Sequence, residues 1–107
     1  MVKMNSLPAR FRKKAVGEHL DRICEQNDVV FLALFGSFAH GRQTVRSDVD
    51  LLVKFDKTKD KSLLDLIRAE REMKKVFHRK VDLVTEKSLS PYLRKSVLKS
   101  LRVIYER

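Results

Sequence analysis

Apolar residues follow a helical period in the first quarter of the chain and a strand-like pattern after it. Between Phe11 and Ile23 they recur every three or four positions, which predicts an amphipathic helix with Pro8 in its first turn. Residues 29–35 and 48–55 are short runs rich in β-branched and aromatic side chains. Such runs predict two strands, because they are too short for buried helices.

The rest of the chain repeats these two patterns. A second helical stripe comprises Leu63, Leu66, Ile67, Met73 and Phe77. Residues 80–85 predict a third strand, and Ser90–Pro91 has the chemistry of a helix start, with Ser90 as N-cap. A fourth strand is predicted at residues 101–106. The predicted order is therefore α-β-β-α-β-α-β in one domain that spans residues 1–107.

The charge balance is strongly basic, with 24 Lys and Arg against 14 Asp and Glu and a net charge of +10. Such a field attracts nucleotides, nucleic acid or an acidic protein, and it does not choose among them. Cys24 is the only cysteine, so no intrachain disulfide is possible. The first residues lack a signal-like apolar stretch, and the longest apolar run is too short to cross a membrane. We expect a cytoplasmic protein without membrane association.

Two carboxylates share one face of the second predicted strand. Asp48 and Asp50 alternate with apolar residues, and Asp82 joins them if the third strand lies beside the second. Like charges at this spacing repel one another, and Mg²⁺ relieves that repulsion while binding substrate phosphate. Two such ions can clamp an in-line displacement at phosphorus. The alternative is that these aspartates only face water, and we favour the metal site because a glycine–serine turn precedes them.

The turn at Gly36 and Ser37 predicts a phosphate site. Glycine permits close backbone approach after a strand, and a short helical turn from Ser37 would point free N–H groups at an anion. Residues 37–47 include His40, Arg42 and Arg46 and contain no acid before Asp48, which suits a triphosphate. Alone, a Gly–Ser pair is an ordinary strand-ending turn; its coupling to the two aspartates carries the prediction.

Residues 36–53, GSFAHGRQTVRSDVDLLV, resemble the signature of the DNA polymerase beta nucleotidyltransferase superfamily. The short spacing GSxxxGxxxxxSDxDLxV is similar to that of the minimal nucleotidyltransferase family. The VDLV segment with Asp82 and residues 91–107 resemble the same family. The resemblance implies an α+β (α/β) fold of the polymerase-beta palm type, with a central mixed four-stranded sheet flanked by helices.

The resemblance also implies roles for individual residues. Nucleotide binding would fall to Gly36, Ser37, Arg42 and Ser47. Catalysis and the binding of two Mg²⁺ ions would fall to Asp48, Asp50 and Asp82. One departure is visible, since family members often have Arg where this chain has His40 before Gly41. A neutral imidazole is a weaker phosphate partner than a guanidinium, and Arg42 either compensates or faces solvent.

By this resemblance the chain is a Mg²⁺-dependent nucleotidyltransferase that moves AMP from ATP to a hydroxyl, expected to be a tyrosine, of a partner HEPN-domain toxin. It would act as the antitoxin in a hetero-oligomer. One alternative is a catalytically weak module that neutralises its partner sterically, and others are transfer to a small molecule or to RNA. Nucleic-acid binding through the basic surface is possible and not favoured, because no aromatic residues interleave the charges.

Overall fold

The computed structural model describes residues 1–39 and 47–107, apart from the side chain of Phe38. Within these residues lie α1 (Lys14–Gln26), β1 (Val29–Phe35), β2 (Val49–Phe55), α2 (Leu63–Phe77), β3 (Val81–Thr85), α3 (Pro91–Lys99) and β4 (Arg102–Glu106). Short 3-10 helices cover Met4–Ser6, Ala9–Phe11, Gly36–Phe38 and Glu86–Ser88. The predicted order of helices and strands is confirmed.

The strands form one mixed sheet in the order β3-β2-β1-β4. β1 pairs antiparallel with both β2 and β4, whereas β2 and β3 run parallel. A parallel pair needs a crossover connection, and α2 supplies it. The predicted mixed four-stranded sheet flanked by helices is thus confirmed.

The core lies between the sheet and the helices α1 and α2. From β2 it takes Val49, Leu51 and Val53, which alternate along the strand and are at most 1% exposed. α1 contributes Leu20, Ile23 and Cys24, and α2 contributes Ala69, Met73 and Phe77. Each buried aliphatic side chain of this kind stabilises the fold by about 1.5–3 kcal/mol. The core therefore anchors β2 through this face, and Leu52 on the other face is fully buried as well.

The start of α1 differs from the prediction. Pro8 precedes a separate 3-10 turn at Ala9–Phe11, and α1 begins only at Lys14. The backbone leaves the helical region at Arg12 and is extended at Lys13, with ψ angles of 63° and 142°. The Arg12 guanidinium donates to the Leu7 carbonyl at 3.0 Å, which holds the break in place. Phe11 nevertheless reaches the core, because the 3-10 turn points it inward.

The predicted core stripe of α2 is wrong at two of its five positions. Leu63 is 70% exposed and Ile67 is 43% exposed, so neither is a core residue. A Ser62–Asp65 capping box begins α2, and the buried stripe starts one turn later and ends at Phe77. The other three predicted positions are confirmed, since Met73 and Phe77 are buried and Leu66 packs against the core.

α3 begins as predicted, with Pro91 in the first turn and the Ser90 hydroxyl accepting from the Tyr92 N–H at 3.2 Å. It packs loosely, since none of its residues is buried and Leu93 is 58% exposed. Within the described residues, no helix combines the length and the apolar character needed to cross a membrane.

Candidate active site

The strand register places two of the predicted carboxylates side by side. β2 and β3 pair in parallel with Asp50 opposite Asp82, as predicted from the sequence. Neighbouring strands are about 4.8 Å apart, and paired residues point to the same side of the sheet. Asp48 directly precedes β2 and lies two residues from Asp50, so alternation directs it to the same side. The three acids therefore gather at one end of the parallel pair.

Asp50 is the most constrained of the three acids. Asp50 is half-buried, whereas Asp82 is exposed. Burial raises the pKa of Asp50, the negative charges of Asp82 and Asp48 raise it further, and the Lys80 ammonium opposes the rise. A cation placed between Asp50 and the neighbouring carboxylates would stabilise the ionised form of Asp50.

Gly36 lies directly against Asp50. Its φ is +72°, and a Cβ built on it would meet the Asp50 Oδ2 at 2.5 Å. Only glycine satisfies both the left-handed backbone and this contact. The preceding Phe35 pairs with Asp50 across β1 and β2, which brings the turn to the acids. The predicted helical turn exists as the 3-10 helix Gly36–Phe38, one residue earlier than expected, with Ser37 half-buried in it.

Residues of the α2–β3 connection bind the backbone on both sides of Asp48. The Arg79 Nη1 donates to the Ser47 carbonyl at 3.0 Å, and the Lys80 carbonyl accepts from the Val49 N–H at 2.9 Å. His78, which ends α2 in the left-handed conformation with φ +54°, turns the chain so that these residues reach β2. Ser47, predicted to bind nucleotide, is thus positioned next to the acids.

Sequence reasoning missed Arg79 and Lys80. The Lys80 Nζ lies 3.8 Å from the Asp48 Oδ2. Lys80 alternates with Asp82, so the same strand pattern that found Asp82 could have found it. No local signal pointed to Arg79, since its contact with Ser47 spans 32 residues.

Three basic residues named for the predicted phosphate site, His40, Arg42 and Arg46, lie outside the described residues.

The donor set fits a hard divalent cation in its chemistry, because all three side chains offer carboxylate oxygens. Among residues 1–39 and 47–107, no three His, Cys, Asp or Glu side chains already form a cluster that could hold a metal ion. The carboxylates are therefore placed near one another without forming a closed metal site among these residues.

A family model described as polymerase beta, nucleotidyltransferase matches residues 18–107. The chain belongs to this family. The resemblance of residues 36–53 is thereby confirmed, and the chain is a nucleotidyltransferase. The acid-bearing strands, the turn at Gly36 and Ser37, and β4 all lie inside the matched residues.

Individual relatives agree with this assignment. A candidate protein adenylyltransferase of Methanocaldococcus jannaschii is 36% identical over 90 residues, which cover 83% of this chain and 90% of that protein. The solved structure of a candidate minimal nucleotidyltransferase superposes with a TM-score of 0.68 at 34% identity, covering 82% of this chain and 88% of the other.

A third similarity is one of fold alone. A chain from the complex of a tri-AMPylated Shewanella oneidensis HEPN toxin with an MNT antitoxin superposes with a TM-score of 0.61 at 17% identity. The superposition covers 88% of this chain and 72% of the other.

Proposed function

We propose that this nucleotidyltransferase transfers AMP from ATP to a tyrosine hydroxyl of a HEPN-domain toxin and so acts as its antitoxin. The observation that carries the proposal is the placement of Asp50 opposite Asp82, directly against the Gly36 turn. A nucleotide held at that turn has its phosphates beside the acids, where a displacement at phosphorus can be promoted.

Each residue of the candidate site has a proposed role. Asp48, Asp50 and Asp82 would hold two Mg²⁺ ions, which would supply charge neutralisation and orientation at the reacting phosphate. The phosphates are bound by Gly36, Ser37, Arg42 and Ser47.

The reaction is a substitution at the α-phosphorus of ATP. The acceptor oxygen forms a new bond to phosphorus, the bond to the bridging oxygen of the β-phosphate breaks, and pyrophosphate leaves. The hydroxyl proton passes to a carboxylate oxygen of Asp82, which is the exposed acid of the three and can be reached by an acceptor from solvent.

A protein acceptor is supported by two of the similarities. The Methanocaldococcus jannaschii relative, which this chain matches over most of both lengths, is described as acting on protein. The Shewanella oneidensis complex contains a tri-AMPylated HEPN toxin, which supports the proposal of a HEPN acceptor and of AMP as the group transferred.

The test is transfer of label from α-³²P-ATP in the presence of Mg²⁺ to a HEPN-domain protein encoded beside this chain. We expect the label on the HEPN protein, and its loss in the variant Asp48→Asn/Asp50→Asn by at least about a hundredfold. Asp60→Asn, an exposed aspartate in the loop before α2, is the matched control and retains transfer.

Two results would count against the proposal. Absence of label on the HEPN protein, while ATP binding is measurable, would contradict the transferase function. Neutralisation of the toxin by the double variant, at wild-type strength, would favour a steric antitoxin instead.

A further inference from the structure

A glutamate of α2 binds the backbone of β3 beside Asp82. The Glu70 Oε2 accepts a hydrogen bond from the Leu83 N–H at 3.0 Å, in a partly buried contact. β3 forms one edge of the sheet, and the Lys80 carbonyl, which accepts from the Val49 N–H, points towards β2. Backbone groups alternate in direction along a strand, so the N–H of Leu83 points away from β2. The Glu70 carboxylate therefore takes the place of a neighbouring strand at this edge.

The peptide group between Asp82 and Leu83 is held from both sides. By the same alternation its C=O, which belongs to Asp82, faces β2, where Asp82 is paired with Asp50. Its N–H, which belongs to Leu83, binds Glu70. The peptide group is planar, so fixing both of its polar ends fixes its orientation. This restricts the backbone of Asp82 and with it the direction in which the carboxylate leaves the strand.

Asp82 has the weakest support of the three acids from the sheet itself. Asp50 lies in an interior strand and is paired on both sides, with Phe35 and with Asp82. On both sides of Asp48 the backbone binds residues of the α2–β3 connection. Asp82 is exposed and lies on the edge strand, with β2 as its neighbour. Exposed edge segments open more readily than interior strands, so Asp82 depends on an additional contact more than the other two acids do.

Glu70 is itself held in a fixed position. The adjacent Ala69 and, one turn later, Met73 are fully buried in the core, which anchors this part of α2. The Lys74 Nζ lies 3.7 Å from the Glu70 Oε1, so the oxygen that does not bind Leu83 has a cation beside it. A hydrogen bond from a backbone N–H to an ionised carboxylate is stronger than one to a neutral acceptor. Glu70 can therefore transmit the rigidity of the core to β3.

A purely protective role for this contact is the alternative. An acceptor at an edge strand blocks pairing with another chain, and the Thr85 N–H is covered in a similar way by the Ser88 hydroxyl at 3.1 Å. The two contacts differ in their distance from the acids, since Leu83 directly follows Asp82 whereas Thr85 ends the strand. The contact of Glu70 is the one that shares a peptide group with a predicted catalytic residue.

We propose that Glu70 is a positioning residue for Asp82, holding the edge strand so that this carboxylate stays beside Asp50. The inference rests on the proposed function in that Asp82 accepts the proton of the acceptor hydroxyl. It adds to the site a residue of α2 that acts through the Asp82–Leu83 peptide group and not through contact with a substrate. A displacement of about 1 Å in a reacting group can lower a rate by up to about a hundredfold, so a backbone contact at this place affects the rate of transfer.

The test compares two glutamates of α2 that each accept a partly buried hydrogen bond from another element. Glu70→Ala removes the acceptor of the Leu83 N–H, and Glu70→Gln keeps an acceptor oxygen while removing the charge. Glu72→Ala is the matched control, because the Glu72 Oε2 accepts from the Asn27 Nδ2 at 2.9 Å and so joins α2 to the C-terminal end of α1. Urea denaturation establishes that all three variants fold.

We expect kcat for AMP transfer to the HEPN protein to fall about tenfold in Glu70→Ala, with the KM for ATP changed by less than about twofold. The KM is retained because the proposed phosphate contacts lie at the Gly36 turn and not on β3. Glu70→Gln should keep kcat within about threefold of the wild-type value, and Glu72→Ala within about twofold. Equal kcat values in Glu70→Ala and Glu72→Ala would overturn the inference, and so would a fall in Glu70→Gln as large as that in Glu70→Ala.

A second measurement needs neither ATP nor the HEPN protein. Amide hydrogen exchange, followed by NMR, should be at least about tenfold faster at Asp82 and Leu83 in Glu70→Ala than in the wild-type protein, and unchanged there in Glu72→Ala. Unchanged exchange at Asp82 in Glu70→Ala would overturn the inference. If the wild-type protein does not label the HEPN protein, the proposed function fails, while faster exchange at Asp82 would still support the positioning of that residue by Glu70.

Discussion

On one face of β2 the side chains of Val49, Leu51 and Val53 are buried in the core, while on the other face Asp50 and Lys54 keep contact with solvent on either side of the buried Leu52. The residues of the two faces alternate along a single strand, yet their contributions to stability have opposite signs. The apolar face stabilises the fold through burial. On the other face Asp50 destabilises it, because burial and two neighbouring carboxylates disfavour its ionised form.

The difference teaches how a chain of this size can hold repelling charges in a fixed place. The apolar face fixes the strand, and pairing with β1 and β3 fixes its register, so the carboxylates cannot move apart by moving the backbone. Rigidity of this kind is what a preorganised catalytic site requires.

The largest expected effect on stability comes from the apolar face. Leu51→Ala removes a side chain that is fully buried, so we expect the free energy of unfolding to fall by about 2–5 kcal/mol. Urea denaturation measures the loss. Leu63→Ala is the control, because Leu63 is 70% exposed and its truncation should change stability by less than about 0.5 kcal/mol. Comparable losses in the two variants would contradict the assigned core.

The next largest effect on stability comes from the contact between Gly36 and Asp50. Gly36→Ala places a Cβ against the Asp50 Oδ2 and strains a backbone at φ +72°. We therefore expect the free energy of unfolding to fall by about 1–3 kcal/mol. A double-mutant cycle with Asp50→Ala separates the two causes. The loss should shrink in the Asp50→Ala background, because the steric contact is gone and only the backbone strain remains. An equal loss in both backgrounds would mean that the contact contributes nothing.

A smaller effect of opposite sign is expected on the acidic face. Because the folded state raises the pKa of Asp50, the ionised carboxylate destabilises the fold above that pKa, and the penalty disappears as the pH falls below the unfolded value. Asp50→Asn should therefore raise the melting temperature at neutral pH, measured without divalent cations. The gain should vanish near pH 3, because aspartic acid in an unfolded chain has a pKa of about 3.9 and is mostly protonated at that pH. A gain that is independent of pH would point to a cause other than charge.

The smallest effect concerns Lys80. Its ion pair with Asp48 is largely exposed, so Lys80→Gln should change stability by less than about 1 kcal/mol. The same substitution removes the cation that opposes the rise in the pKa of Asp50, and that pKa should therefore increase further. Carboxylate titration by NMR measures the pKa of Asp50. Lys59→Gln, from an exposed loop, is the control and should leave that pKa unchanged. A fall in the Asp50 pKa would contradict the assigned electrostatics.

Much of this architecture could be predicted from the sequence, because the relevant patterns are local. Alternation along residues 48–55 and 81–85 predicted which side chains share a face of each strand. With the two strands side by side, the same alternation predicted that Asp50 and Asp82 are neighbours. The order of helices and strands followed from periodicity and from the cap at Ser90.

The remainder depends on contacts between distant parts of the chain. The exposure of Leu63 and Ile67 could not be predicted, because periodicity does not say which apolar residues at the start of α2 the core covers. The anchoring of Ser47 by Arg79 requires the parallel register to be known first. The groove lined by Lys54, Thr85 and Arg94 likewise forms only when β2, β3 and α3 are assembled.

The sheet order also has a consequence for folding kinetics. β1 occupies an interior position, but its second neighbour, β4, comes from the other end of the sequence, with Phe31 paired to Glu106. Closing so long a loop is slow compared with forming a local helix, so the β1–β4 pairing should be among the late events of folding. Until it forms, one edge of β1 is left as an unpaired strand, and the nascent protein is at its most prone to aggregate.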